Sequence, residues 1–79
     1  MSRTMILGLA ATCIAARKST KTSVASIAAT AGVSASTIHK FERGRTWPQR
    51  VEAIVHAYAV ASGEEARELW KDAATFMHE

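Results

Sequence analysis

The side chains best suited to chemistry in this sequence are hydroxyls and cations between residues 21 and 50. A run of small and hydroxyl-bearing residues, Ser34–Thr37, leads into His39 and Lys40. The cations that flank this run are Lys21, Arg43, Arg45 and Arg50. Hydroxyls donate and accept hydrogen bonds, and ammonium and guanidinium groups pair with anionic oxygens. This set favours binding to a polyanion over the making or breaking of covalent bonds.

Groups that commonly catalyse reactions or hold metals are scattered along the chain. The three histidines and the single cysteine, Cys13, lack metal-ligand spacing, and no CxxC or HxxxH pair occurs. There is no glycine-rich phosphate loop, and a chain of 79 residues leaves little concave surface around a nucleophile and its base. We therefore predict no enzyme activity, no small-molecule substrate, no cofactor and no metal.

The charges divide the chain into a basic part and an acidic part. Residues 1–50 hold eight lysines and arginines against one acid, Glu42, whereas residues 51–79 hold two basic and six acidic side chains. A basic half suits a polyanion, and an acidic half suits solvent or a protein partner. Charge alone would equally suit an anionic membrane or an acidic protein, so the choice depends on the elements that present these side chains.

The hydroxyl run opens the second of two short predicted helices joined by a tight turn. Ser23 is a good N-cap for a helix over Val24–Ala31, and Gly32 suits the left-handed position that follows a helix. Ser34 then caps a third helix, Ala35–Arg43. The apolar residues expected to face inward are Val24, Ile27, Ala28, Ala31, Val33, Ile38 and Phe41. This arrangement matches the DNA-reading helix-turn-helix, which we place at about 24–43.

Three further helices complete a predicted all-α, compact five-helix domain spanning residues 1–79. The first contains the apolar run Met5–Ala16, with Leu9 and Cys13 on its inner face. That run also resembles a short signal peptide, but it is far shorter than the roughly 20 residues that span a bilayer. A fourth helix extends from Val51 to about Ala61, and a capping box of Ser62 and Glu65 is expected to begin the fifth. The unpaired cysteine indicates a reducing compartment, so we expect a cytoplasmic, nucleoid-associated protein without a membrane segment.

In helix-turn-helix proteins the second helix of the unit lies in the major groove, and its N-terminal side chains reach base edges. We expect Ala35 to contact a thymine methyl and Lys40 to reach guanine O6 and N7. Ser36 and Thr37 are expected to hydrogen-bond with bases, and His39 lies beside them. Phosphate contacts are expected from the flanks, at Lys21, Ser23, Arg43, Arg45 and Arg50.

The spacing of these residues resembles one family in particular. The matching frame is Ile27-Ala28, Ala31-Gly32-Val33-Ser34, Thr37-Ile38 and Phe41-Glu42-Arg43-Gly44. It is similar to the Cro/repressor-type (Xre-like) helix-turn-helix family over about residues 9–72, and the segment Arg43–Pro48 resembles small regulators of actinobacteria and their phages. The resemblance implies a lambda-repressor-like DNA-binding fold, often a dimer on palindromic operators. It also implies a structural ion pair between Arg17, late in the first helix, and Glu42.

Two positions depart from the family pattern. Family members usually begin the second helix with a glutamine that bonds the phosphate backbone or a base, and here that residue is Val24. The residue before the N-cap is usually leucine, and here it is Thr22. One customary DNA contact is therefore lost or replaced.

The sequence thus predicts a sequence-specific transcription regulator, a repressor or Cro-like control protein, with double-stranded operator DNA as its partner. Two alternatives stay open. One is an antitoxin-like protein whose acidic half binds another protein, and the second is an adaptor of the same fold acting through protein contacts. Phe76 and Met77 either seed a homodimer through the C-terminal helix or cap the core.

Overall fold

A computed structural model describes the backbone of residues 3–44 and 48–77 and the side chains of residues 5–44 and 48–75. Within those ranges all regular structure is helical, in five elements: α1 (Arg3–Ser19), α2 (Val24–Ala31), α3 (Ala35–Glu42), α4 (Val51–Ser62) and α5 (Ala66–Met77). The predicted all-α, five-helix architecture is therefore confirmed. None of the described helices is long and apolar enough to cross a membrane.

The helices share one apolar core. Helix α1 packs against α5 and α4, and α2 packs against both α4 and α3. The predicted inner residues Leu9, Cys13, Ile38 and Phe41 have no exposed surface, and Ile27 is 1% exposed. Burial of a large apolar side chain stabilises the fold by about 1.5–3 kcal/mol. Two such side chains, Ile38 and Phe41, therefore fix which face of the short helix α3 turns inward.

The ends of α2 and the start of α3 follow the sequence prediction. Ser23 Oγ accepts a hydrogen bond from the amide of Ser26 at 3.1 Å, and Ser34 Oγ accepts one from Thr37 at 3.2 Å. Gly32 has a φ of +73°, and the amide of the next residue, Val33, bonds back to Ala28 at 3.1 Å. A left-handed residue with this backward bond ends the helix and satisfies its last carbonyls.

The predicted capping box of α5 is wrong. Ser62 is the last residue of α4, and its hydroxyl donates to the carbonyl of Tyr58 at 2.9 Å. Gly63, with a φ of +74°, supplies the left-handed residue that ends α4. Because Gly63 ends α4 more effectively than Ser62 begins α5, α4 continues through Ser62. The Ser62 hydroxyl then bonds within α4 and does not cap α5. Helix α3 is also one residue shorter than predicted, with Arg43 as its C-cap.

Helix α1 extends beyond the apolar run Met5–Ala16 that predicted it. The helix continues to Ser19, and Lys21 then takes a left-handed φ of +56°. The amide of Thr22 bonds to the carbonyl of Arg17 at 3.1 Å, which is the same helix ending that Gly32 gives to α2. A side chain in this conformation costs about 1–2 kcal/mol. Lys21 is the one non-glycine residue with a positive φ among the described residues.

Candidate nucleic-acid interface

The outward face of α3 carries most of the predicted base contacts. The exposed residues of this segment are Ala35, Ser36, His39, Lys40 and Arg43. Ser36, Lys40 and Arg43 follow one another at four- and three-residue spacing, so they form a single stripe along the helix. The stripe lies opposite the buried Ile38 and Phe41. It presents one hydroxyl and two cations to solvent, and no carboxylate.

Thr37 differs from its neighbours in this predicted set. It is half-buried, and its hydroxyl lies 3.0 Å from the hydroxyl of Ser34. Its amide also donates to Ser34, so both polar groups of Thr37 take part in the helix cap. The Thr37 hydroxyl is therefore less available to an outside ligand than that of Ser36.

At the start of α2, two hydroxyls lie close together. The Ser23 hydroxyl donates to Ser26 Oγ at 3.1 Å while Ser23 Oγ accepts from the Ser26 amide. Both serines are exposed, and Lys21 is exposed two residues earlier. Val24 is half-buried and packs on the core. The residue that replaces the customary glutamine therefore supports the fold.

Arg50, a predicted phosphate contact, lies against the turn of the helix-turn-helix. Its Nη1 donates to the carbonyl of Gly32 at 3.4 Å, which links the start of α4 to the end of α2. Between α3 and this arginine runs a groove of about 340 Å³, and its lining includes Thr37, Lys40 and Ile54. Lys40 and Arg50 thus both line one groove. Arg45 lies outside the described residues.

Glu42, the lone acid of the basic half, is held by two helices. Arg17 Nε donates to Glu42 Oε2 at 2.8 Å, and Arg17 Nη2 donates to Oε1 at 2.9 Å. Tyr58 Oη donates to Oε2 at 2.7 Å. A third Arg17 bond, from Nη1 to the carbonyl of Thr22 at 3.2 Å, ties in the connection before α2. A bidentate pair of this kind fixes orientation as well as charge.

The pKa of each group in this network follows from its surroundings. Burial raises the pKa of Glu42, but the hydrogen bonds from Arg17 and Tyr58 outweigh burial and hold it below its ordinary value. Burial and the bond to Glu42 raise the pKa of Tyr58, and the bond to Glu42 raises that of Arg17. Burial, with the nearby Glu42 charge, raises the pKa of the Cys13 thiol to about 12. Glu42 is therefore an ionised carboxylate whose charge is neutralised inside the protein.

The sequence pattern did not predict that Tyr58 takes part in this network. Its side chain is fully buried, and its ring centroid lies 5.9 Å from that of Phe41. A buried tyrosine usually finds a hydrogen-bond partner for its hydroxyl. That rule and the lone acid in a basic segment are both consistent with the contact, but neither identifies these two residues as partners.

Sequence comparisons agree with the observed geometry. A family model described as a helix-turn-helix domain matches residues 9–69, which is well over half of the chain. No curated protein shows a significant match. The same holds for the solved structures. The matched segment begins in α1 and ends in α5, so it includes the helix-turn-helix and the helices that hold it. The chain therefore belongs to the Cro/Xre-type helix-turn-helix family, whose domain indicates a DNA-binding regulator.

Proposed function

We propose that this protein is a sequence-specific transcription regulator, a repressor or Cro-like control protein, which reads duplex DNA with α3 in the major groove. The observation that carries the proposal is the distribution of charge on α3. Its one acid, Glu42, is bonded to Arg17 and Tyr58, while Lys40 and Arg43 are exposed. The outer face is therefore free of the negative charge that would repel phosphates.

Base recognition is assigned to the exposed residues of α3. Lys40 suits guanine, whose O6 and N7 both accept hydrogen bonds in the major groove. Ser36 and His39 supply further donors and acceptors, and Ala35 supplies a methyl group for thymine. Thr37 is expected to contribute less to base contacts, since its hydroxyl is hydrogen-bonded with that of Ser34.

Backbone phosphates are assigned to the flanks of the helix-turn-helix. Ser23 lies at the positive end of the α2 dipole, with Lys21 just before it. Arg43 and Arg50 stand on the other side of the unit, at the end of α3 and the start of α4. Arg45 belongs to the same group by its sequence position. Such contacts set orientation and register, while base contacts supply sequence information.

We infer that regulation follows from occupancy of a promoter by the folded domain, residues 1–79, in the cytoplasm. A homodimer through α5 would place two copies of α3 on half-sites about one helical turn apart. Occupancy of an operator that overlaps a promoter blocks polymerase without any catalytic step.

Selection of bound duplexes from a random pool tests the proposal, followed by affinity measurements at several salt concentrations. We expect an enriched motif, and a paired motif with fixed spacing would report a dimer. Affinity should fall steeply with salt, with a log–log slope of about −0.9 for each phosphate neutralised.

An adaptor that acts only through protein contacts gives different results in the same assays. It would enrich no motif, and it would bind no duplex DNA even at low salt. Weak, sequence-independent binding with a steep salt slope would still show that the protein binds DNA. It would contradict the assignment of base contacts to α3.

A further inference from the structure

We propose that Tyr58 is a positioning residue for DNA recognition: its phenol fixes the carboxylate that ends α3 and so sets the angle at which α3 meets the major groove. The inference rests on the proposed DNA-binding function. It assigns to α4 a part in recognition, although the Tyr58 side chain is fully buried and so cannot itself reach DNA.

The geometry makes Tyr58 the link between α4 and α3. The backbone of α3 packs against α1 and α2, and it has little backbone contact with α4. The Tyr58 side chain bridges the two helices through its 2.7 Å bond to Glu42 Oε2 and its tilted stacking on Phe41. Arg17 reaches the same carboxylate from α1. Two donors from two helices fix the carboxylate more firmly than either does alone.

Small rotations of α3 matter because the helix is short and its contacts are local. Eight residues make a helix about 12 Å long, so a tilt of about 10° about one end moves the other end by about 2 Å. Hydrogen bonds to base edges tolerate only a few tenths of an ångström. Glu42 lies between Lys40 and Arg43 in sequence. If its carboxylate lost these bonds, the end of α3 would shift and both cations would change position.

Because the bonds to Glu42 depend on its charge, this positioning should make DNA affinity depend on pH. The titratable groups that face it are Arg17 and Cys13 from α1, His39 from α3 and Tyr58 from α4. An ionised carboxylate accepts from both Arg17 and Tyr58, whereas its protonated form loses accepting capacity. DNA affinity should therefore decline on the acid side as Glu42 takes up a proton. Removal of the phenol hydroxyl removes a bond that favours the ionised form, so the decline should begin at higher pH.

The test compares Tyr58→Phe with the unsubstituted protein on the duplex that the latter selects from a random pool. The substitution keeps the ring against Phe41 and deletes only the hydroxyl. We expect a loss of roughly tenfold in affinity at neutral pH, of the order of one base contact. We also expect the acid decline to move to higher pH, because a charge-assisted hydrogen bond to the ionised carboxylate is lost. Leu69→Val in α5 is the control, since it weakens the core without touching Glu42 and should change neither quantity.

A folded Tyr58→Phe protein with unchanged affinity and an unmoved acid decline overturns the inference, whatever its loss of stability. If that variant does not fold, Glu42→Gln replaces it, because an amide does not titrate and the acid decline should disappear. A full acid decline in Glu42→Gln also overturns the inference. A failure of the proposed function is distinct, because the unsubstituted protein would then bind no duplex before any variant is compared.

Discussion

The two faces of α3 differ in how completely the fold uses them. On the inner face, Ile38 and Phe41 are fully buried and Glu42 is bonded to two other helices. On the outer face, the side chains of Ser36, Lys40 and Arg43 make no hydrogen bond or ion pair with any other part of the described structure. One helix of eight residues thus has an inner face that the fold uses and an outer face that is free for the proposed recognition of DNA. Changes on the inner face should cost stability, and changes on the outer face should cost recognition.

The largest expected effect lies on the inner face. Glu42→Ala leaves Arg17 and Tyr58 without their shared partner, and breaking such a pair costs about 3 kcal/mol in stability. Urea unfolding followed by circular dichroism measures the loss. Asp72→Ala on α5 removes an exposed acid and should stay within about 0.5 kcal/mol. Equal effects of the two substitutions would contradict the distinction between the held and the solvated carboxylates.

The glycine that follows α3 gives the next largest effect. Gly44 has a φ of +68°, and a Cβ placed there would lie 2.5 Å from Leu7 Cδ2. We expect Gly44→Ala to destabilise the protein by about 2–3 kcal/mol. About 1–2 kcal/mol comes from the left-handed alanine and up to about 1 kcal/mol from the close contact, since Leu7 Cδ2 is the end of a side chain that is 44% exposed and can turn aside. Gly63→Ala is the matched control, because its φ is +74° with open space around it, and it should cost only about 1 kcal/mol. A double variant with Leu7→Ala should remove most of the difference, and if it does not, close packing of α1 on this turn is not the cause.

The stability should also depend on pH through Glu42. Its pKa is lowered in the folded protein, so its contribution is complete above its unfolded value of about 4.5 and is lost as pH falls through the folded value. Urea midpoints measured from neutral to strongly acidic pH should fall in that window. Glu42→Gln should show a shallower acid decline. An identical decline in both proteins would mean that other carboxylates account for it.

The smallest predicted effect concerns Lys21, where one residue bears on both stability and the proposed DNA binding. Because Lys21 has a φ of +56°, Lys21→Gly should stabilise the protein by about 1 kcal/mol. The same change removes an exposed cation, so it should weaken DNA binding on every sequence and flatten the salt slope by about one unit. Lys21→Asn tolerates the conformation and loses the same charge, so it should match the weaker binding. Unaltered binding in both variants would remove Lys21 from the phosphate contacts.

Local signals account for what the sequence predicted correctly. Ser23, Gly32 and Ser34 act through bonds to residues at most five positions away, so their types alone indicate the turn. Helical spacing likewise identified Ile38 and Phe41 as inner residues, which their burial confirms. The capping box predicted at Ser62 was wrong because two local signals competed there. Ser62 could begin a helix, but the following Gly63 ends the preceding one.

What the sequence could not supply depends on packing between distant segments. The bond between Tyr58 and Glu42 joins residues 16 positions apart, and it forms only when α4 crosses the end of α3. The left-handed Lys21 was equally unpredictable, because glycine or asparagine usually takes that conformation. The link between Arg50 and Gly32 likewise follows from the way α4 begins beside the turn. Each of these features adjusts how the helix-turn-helix is held rather than whether it forms.

A pair of lysine substitutions tests the claim that the outer face of α3 reads sequence. Lys40 and Lys71 are both exposed, and each change to alanine removes one positive charge. The affinity of each variant is measured on the selected duplex and on a scrambled duplex. We predict that Lys40→Ala loses about 1–3 kcal/mol on the selected duplex and much less on the scrambled one, while Lys71→Ala on α5 changes neither. Equal losses from Lys40→Ala on both duplexes, or equal behaviour of the two variants, would contradict the claim.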